Sequence, residues 1–230
     1  LANELFSRLH GLYEDEATYK PDVDRLGRRL GLLRLYVPQR LWELRDQRQR
    51  AEPNAKPLPP YNPQGDDYRD KLAGVDRTLI IRCVGLSQRH VEQVPLRQII
   101  IGGIESIDTL VTTKDLSQVF PGLAKNDEAL TKFRLFLAEA KATVQNAKSE
   151  PDLYTVETLL ARLARENADT IKIPDNAILH EFGNGAIGEL DEFSAVIWPD
   201  EVSRFDRLTQ GKFPGVGIRI EHDELFNVRV

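Results

Sequence analysis

The sequence contains no methionine, although ordinary composition would supply several in 230 residues. A Met-poor protein and a piece of a longer one both fit that absence. Cysteine is nearly as scarce, and the single Cys83 excludes an internal disulfide framework. Long apolar runs are missing too, which excludes a spanning helix and predicts no membrane partner. No early segment joins a basic start, an apolar stretch and a small-residue cleavage site, so the expected setting is cytoplasmic. No long internal period repeats. The patterns H-E-x-x-H, C-x-x-C and G-x-S-x-G are absent, which removes local support for zinc and serine hydrolases. A P-loop is missing as well: the only Gly-Lys pair, Gly211-Lys212, is followed by Phe213 and has no glycine at the required spacing before it.

What is present is an ordinary apolar share of 41%, enough to build a core and to exclude wholesale disorder. The 31 basic and 36 acidic residues leave a net charge of −5, which argues against a domain that is basic overall and made to coat nucleic acid.

Apolar spacing divides the chain. Residues 1–50 read as a helical, arginine-rich segment, with Pro38 placed to open a helix through Leu41, Trp42 and Leu44. Residues 51–74 read as a proline-rich linker, in which Pro57 to Pro60 also has the spacing of a groove-binding ligand. Residues 75–230 read as an α+β domain. Its strands are predicted at Leu79 to Val84, Ile99 to Ile101 and Ile107 to Thr113, with Gly102-Gly103 a tight turn or bulge between the last two, then at Thr170 to Ile173, Ala177 to Phe182 and Phe193 to Trp198. Val216 to Ile220 and Leu225 to Val230 are predicted to close as a hairpin. Between these groups, Leu130, Phe133, Leu137, Ala140, Val144 and Ala147 share one helical face. A second helix carries Leu153, Val156, Leu160 and Leu163, so about 126–168 is expected to form an antiparallel helical hairpin. Ser149 to Asp152 reads as its capping box. The fold class expected is α+β, a mixed or antiparallel sheet packed with that hairpin.

Three features carry candidate chemistry. Gly183-Asn184-Gly185-Ala186-Ile187-Gly188 matches G-x-G-x-x-G, yet no crossover helix fits before the next apolar run, so it reads as a glycine turn and no dinucleotide is expected. The surrounding acids suggest a divalent site: Glu189 and Asp191, two apart on a strand, would ligate Mg or Mn, with His180 as acid or base. Lastly, eight arginines between Arg25 and Arg50 face only Glu43 and Asp46, a local charge of +6. Arg25, Arg28, Arg29, Arg34, Arg40 and Arg45, with Tyr36 and Trp42 interleaved for stacking, would form a contact strip for an anionic partner such as nucleic acid. The leading expectation is a non-enzymatic binding or assembly subunit that meets an anionic partner and another protein. The alternative is a metal-dependent hydrolase, a nuclease among the options.

Overall fold

The computed structural model describes residues 16–51, 56–124, 127–191 and 193–209, with positions 2, 5, 6, 9, 221, 222, 228 and 229. Nine α-helices cover most of the described residues: α1 (Glu16–Tyr36), α2 (Pro38–Ala51), α3 (Tyr68–Lys71), α4 (Arg77–Ser87), α5 (Leu96–Val111), α6 (Asp127–Gln145), α7 (Leu153–Asp169), α8 (Asp175–Ile187) and α9 (Val202–Thr209). Short 3-10 turns at Lys114–Gln118 and Pro121–Leu123 connect α5 to α6. The only extended pairing among the described residues joins Glu221–His222 to Val228–Arg229, antiparallel and two residues long.

The fold is therefore all-helical, and the expected α+β sheet is corrected. Leu79 to Val84 lies in α4, where Asp76 caps the first turn by accepting the Leu79 N–H at 2.8 Å. The supposed strands at 99–101 and 107–113 fall on one helix, α5, which runs straight through Gly102-Gly103 and ends at Val111, with Thr112 as its C-cap. Its buried residues Leu96, Ile100, Gly103, Ile107 and Leu110 recur every three or four positions, so the helical period crosses the glycines that were read as a turn. Ala177 to Phe182 belongs to α8, and Thr170 to Ile173 is the turn before it. Phe193 to Trp198 is irregular. Most of the predicted C-terminal hairpin lies outside the described residues.

α5 is the axis of the molecule, lined by α8, α6 and α1, while α4 packs on α7 and α8. The α5/α8 crossing has almost no side-chain layer. A Cβ at Gly102 would stand 2.6 Å from the Gly185 carbonyl oxygen, and one at Gly185 would overlap the Gly102 oxygen and Ser106 Cβ. The G-x-G-x-x-G stretch is thus a helix face built for close backbone approach, not a turn between strands.

α6 and α7 form the expected antiparallel hairpin, but its stripe is core: Phe133, Leu137, Ala140, Val144, Val156, Leu160 and Leu163 are all buried. The capping box stands three residues later than the one read at Ser149 to Asp152: Asp152 is the N-cap, its side chain accepting from Thr155 N at 2.8 Å while the Asp152 N–H donates to the Thr155 hydroxyl. Arg97 closes the other side, donating to the carbonyls of Gln145, Ala147 and Ser149 at 2.8 to 3.0 Å. Leu32, Leu33 and Tyr36 of α1, Val37 at the junction and Leu41 of α2 share one buried cluster with α4 to α8. The proline-rich residues 56–63 are extended and strapped along α2, with the Trp42 indole donating to Pro59 O at 3.0 Å and Gln49 donating to Lys56 O at 2.8 Å.

Candidate functional site

α8 starts after Pro174 and turns Glu181, Gly185 and Gly188 towards α1 and α5, leaving a cleft of about 790 Å³ between them. One wall is α8 with the turn that follows it (His180, Glu181, Asn184, Glu189, Asp191), backed by Ser106 and Thr109 of α5. The other wall is α1, where Lys20, Asp24, Gly27, Arg28 and Gly31 recur at helical spacing. Nothing lies within 4 Å of a Cβ built on Gly27 or Gly31, so these two glycines add open volume to the cleft.

The floor is a buried polar network. Glu181 Oε1 accepts the Tyr36 hydroxyl at 2.9 Å and contacts His180 Nδ1 at 2.8 Å. The Trp198 indole donates to Asn184 Oδ1 at 3.1 Å, and its ring lies 4.3 Å from the imidazole of His180. The Glu181 contact is shorter and charge-assisted, so it takes the Nδ1 proton. Asn184 Nδ2, 3.2 Å from the same nitrogen, is then a neighbour and not its donor. Burial, then the charge and hydrogen bond of Glu181, hold the Tyr36 hydroxyl well above the usual phenol range. Tyr68 and Phe120 meet the Tyr36 ring edge-on at 5.4 and 5.2 Å.

Three atoms of this floor have no partner among the described residues: Ser106 Oγ, His180 Nε2 and Glu181 Oε2. Their residues are only 5, 7 and 6% exposed. A helical serine ordinarily returns its hydroxyl to a carbonyl one turn back, as Thr109 does to Glu105, but Ser106 does not.

The expected acid/base and metal residues are brought to this cleft, but without the strand that was to align them. Glu189 lies in the turn after α8, its Oε2 accepting from Gln98 at 3.1 Å. Asp191 is engaged by His90 Nε2 at 2.9 Å and by the Phe193 N–H at 2.9 Å. Hydrogen bonds from the Ser194 hydroxyl foremost, then from main-chain N–H groups, with the charge of His90, hold its carboxyl below the usual range. His90, Asp191 and Ser194 do not make a catalytic relay. Acid and hydroxyl meet the same ring nitrogen, Nε2, whereas a relay needs them on opposite nitrogens. Among the described residues, no three His, Cys, Asp or Glu side chains converge as ligands for a metal. Burial pushes the Cys83 thiol up, away from the thiolate that reactivity needs.

The arginines do not gather on one face. Arg29 caps α5 through Thr112 O at 3.0 Å and the hydroxyls of Thr112 and Thr113. Arg40 is held by Asp115 and Glu43, Arg50 by Asp46, and Arg25 by Asp22. The guanidinium groups of Arg28, Arg34 and Arg45 have no partner among the described residues. Arg28 faces the cleft, and Arg34, six positions on, points to a different side of α1. Tyr36 is core and Trp42 holds the proline strap, so neither ring is presented for base stacking.

The sequence reading missed Ser106, Glu181 and Asn184 as a set with Tyr36. The available signal was a polar residue inside an otherwise apolar helical period, visible once 96–111 and 175–187 are read as helices. No protein-family model matches the chain, and neither the curated proteins nor the solved structures contain a match. No helix among the described residues is long and apolar enough to cross a membrane.

Proposed function

We propose that the protein is a non-enzymatic binding module whose ligand site is the cleft between α1 and α8. One observation carries this reading: three buried polar side chains on a single wall each keep an atom that the described residues leave unsatisfied. Burying such atoms without partners costs roughly 1–3 kcal/mol each, and a ligand in the cleft supplies the partners. The lone thiol suits a reducing, cytoplasmic setting.

The test is to fill the cleft. Gly31→Trp places an indole in open space, and the fold should tolerate it. Amide spectra are recorded with a fragment set of small amines, carboxylic acids and neutral amides. Shifts at Ser106 and at the Trp198 indole should appear in the parent chain and vanish in Gly31→Trp. A parent chain that responds to no fragment would sink the reading.

A second contact is favoured by Arg34 and Arg45, which are exposed and have no partner among the described residues. They would meet an anionic macromolecule, and nucleic acid remains the proposed one.

A further inference from the structure

The proline strap at 56–63 repeats every three residues, twice over. Leu58 and Tyr61 are half-buried, and the positions before, between and after them are exposed. Tyr61 packs on the Trp42 ring with centroids 6.3 Å apart. The main chain keeps the same interval: the carbonyls of Lys56 and Pro59 both meet α2, accepting from Gln49 Nε2 at 2.8 Å and from the Trp42 indole at 3.0 Å. Three residues per turn is the period of a polyproline II helix. A 3-10 helix shares that period, but Pro57, Pro59 and Pro60 have no N–H to donate and bias Lys56, Leu58 and Pro59 towards extended geometry. Length agrees as well. From Trp42 to Gln49 α2 rises about 10.5 Å, and three polyproline residues span about 9.3 Å, against about 6 Å for a 3-10 turn.

A polyproline II helix has three edges. Leu58 and Tyr61 form the edge that rests on α2. Pro57, Pro60 and Pro63 form the second, all exposed, and Lys56, Pro59 and Asn62 form the third. We infer that this strap is a docking surface for a second protein, one that seats the Pro57, Pro60 and Pro63 edge in a groove lined by aromatic side chains. The rings of that edge fit between aromatic faces, as proline-rich ligands do in such grooves. The carbonyls of Pro57 and Pro60 have no partner among the described residues and would accept from the hydroxyl or indole N–H of those aromatics. Lys56 is the only charged residue between 56 and 63, so the fitting groove is bordered by acidic side chains. Nucleic acid finds little here, because the prolines have no N–H to give a phosphate and Lys56 is a single cation. With α2 already holding the strap in shape, docking forgoes most of the ordering cost. The surface is independent of the α1/α8 cleft, and each stands or falls alone.

The experiment titrates the full 230-residue chain with a panel of purified SH3 and WW domains, whose ligand grooves are lined by aromatic side chains. At least one domain should bind saturably by calorimetry. It should shift the Leu58 and Tyr61 amides and the Trp42 indole while leaving the Ser106 amide unmoved. A synthetic peptide of residues 56–63 should bind the same domain. Pro57→Ala/Pro60→Ala should weaken binding by the chain about tenfold or more. Both rings are exposed, so the melting temperature of that variant should fall by only a few degrees. Lys56→Glu should weaken binding several-fold without unfolding the chain. Binding unchanged in Pro57→Ala/Pro60→Ala overturns the proline edge. A peptide that binds where the chain does not shows that α2 closes the edge off, and the docking surface falls. It falls equally if no domain of the panel binds either one, and the strap is then a connector only.

Discussion

Tyr36 shows how one buried hydroxyl ties stability to pH. Its ring is enclosed by Tyr68 and Phe120 and its proton is given to Glu181, so ionising it would bury a second negative charge beside the first. The folded-state pKa therefore stands above the unfolded value of about 10. A group raised in this way contributes stability that is whole below pH 10 and is lost as pH rises, because only the unfolded chain releases the proton. Tyr36→Phe should cost about 1–3 kcal/mol near neutrality, through the lost hydrogen bond to a buried carboxylate. The same variant should lose less stability between pH 9 and 11 than the parent. Urea unfolding across that range checks both parts, and a variant with an equal or steeper alkaline loss refutes the account. Tyr61, whose hydroxyl donates to Asp66 and is raised to about 12 mainly by desolvation, supplies part of the slope that remains.

Glycine acts in opposite ways on different helices. In α1, Gly27 and Gly31 stand in the helix interior with open space where a Cβ would be, so they cost helix stability and gain no packing. Gly27→Ala and Gly31→Ala should each stabilise the protein by about 0.5–1 kcal/mol. In α8, Gly185→Ala drives a methyl into the Gly102 carbonyl and should cost about 3 kcal/mol. Thermal unfolding of the three variants decides the matter: a Gly185→Ala protein as stable as its parent would show that the crossing is looser than described. The same helices show what could be read from the sequence. The α6/α7 hairpin was legible because polar residues separate its apolar positions and reveal the period. α5 was not, because burial on nearly every side removes the polar contrast and leaves short Ile-rich runs that suit a strand equally well. Taking Gly102-Gly103 as a turn then cut one helix into two strands. The acidic and histidine residues of the cleft were picked out by residue type, but their alignment was argued from a strand that does not exist. Ser106 and Tyr36 joined the site only through the tertiary crossing of α1, α5 and α8.

For the molecule as a whole, charge is more evenly spread than the run of arginines suggested. Of those eight arginines, Arg29 and Arg40 tie α1 and α2 to the α5 end and its following turn, while Arg25 and Arg50 pair with acids on their own helices. Away from the cleft, Arg34 and Arg45 are exposed with no partner among the described residues, on a chain of net charge −5. A labelled oligonucleotide should therefore bind weakly, with a shallow salt dependence set by two or three phosphate contacts. Arg34→Glu/Arg45→Glu should abolish that binding without changing the melting temperature. Tight binding that survives the double substitution would place the anionic contact elsewhere.

The glycine crossing has a consequence for descent. Where Gly103 and Gly183 meet neighbours, the obstacles are the side chains of Phe182, Trp198 and Ile80, and a smaller residue opposite can make room. Gly102 and Gly185 each face the other's main-chain oxygen, which no substitution can trim. Lineages that keep this arrangement can change the aromatic residues in concert, but these two positions have no compensating partner. A pair of invariant glycines on two helices, separated in sequence by the α6/α7 hairpin, is thus the mark by which remote kin would be recognised after the rest of the sequence had drifted.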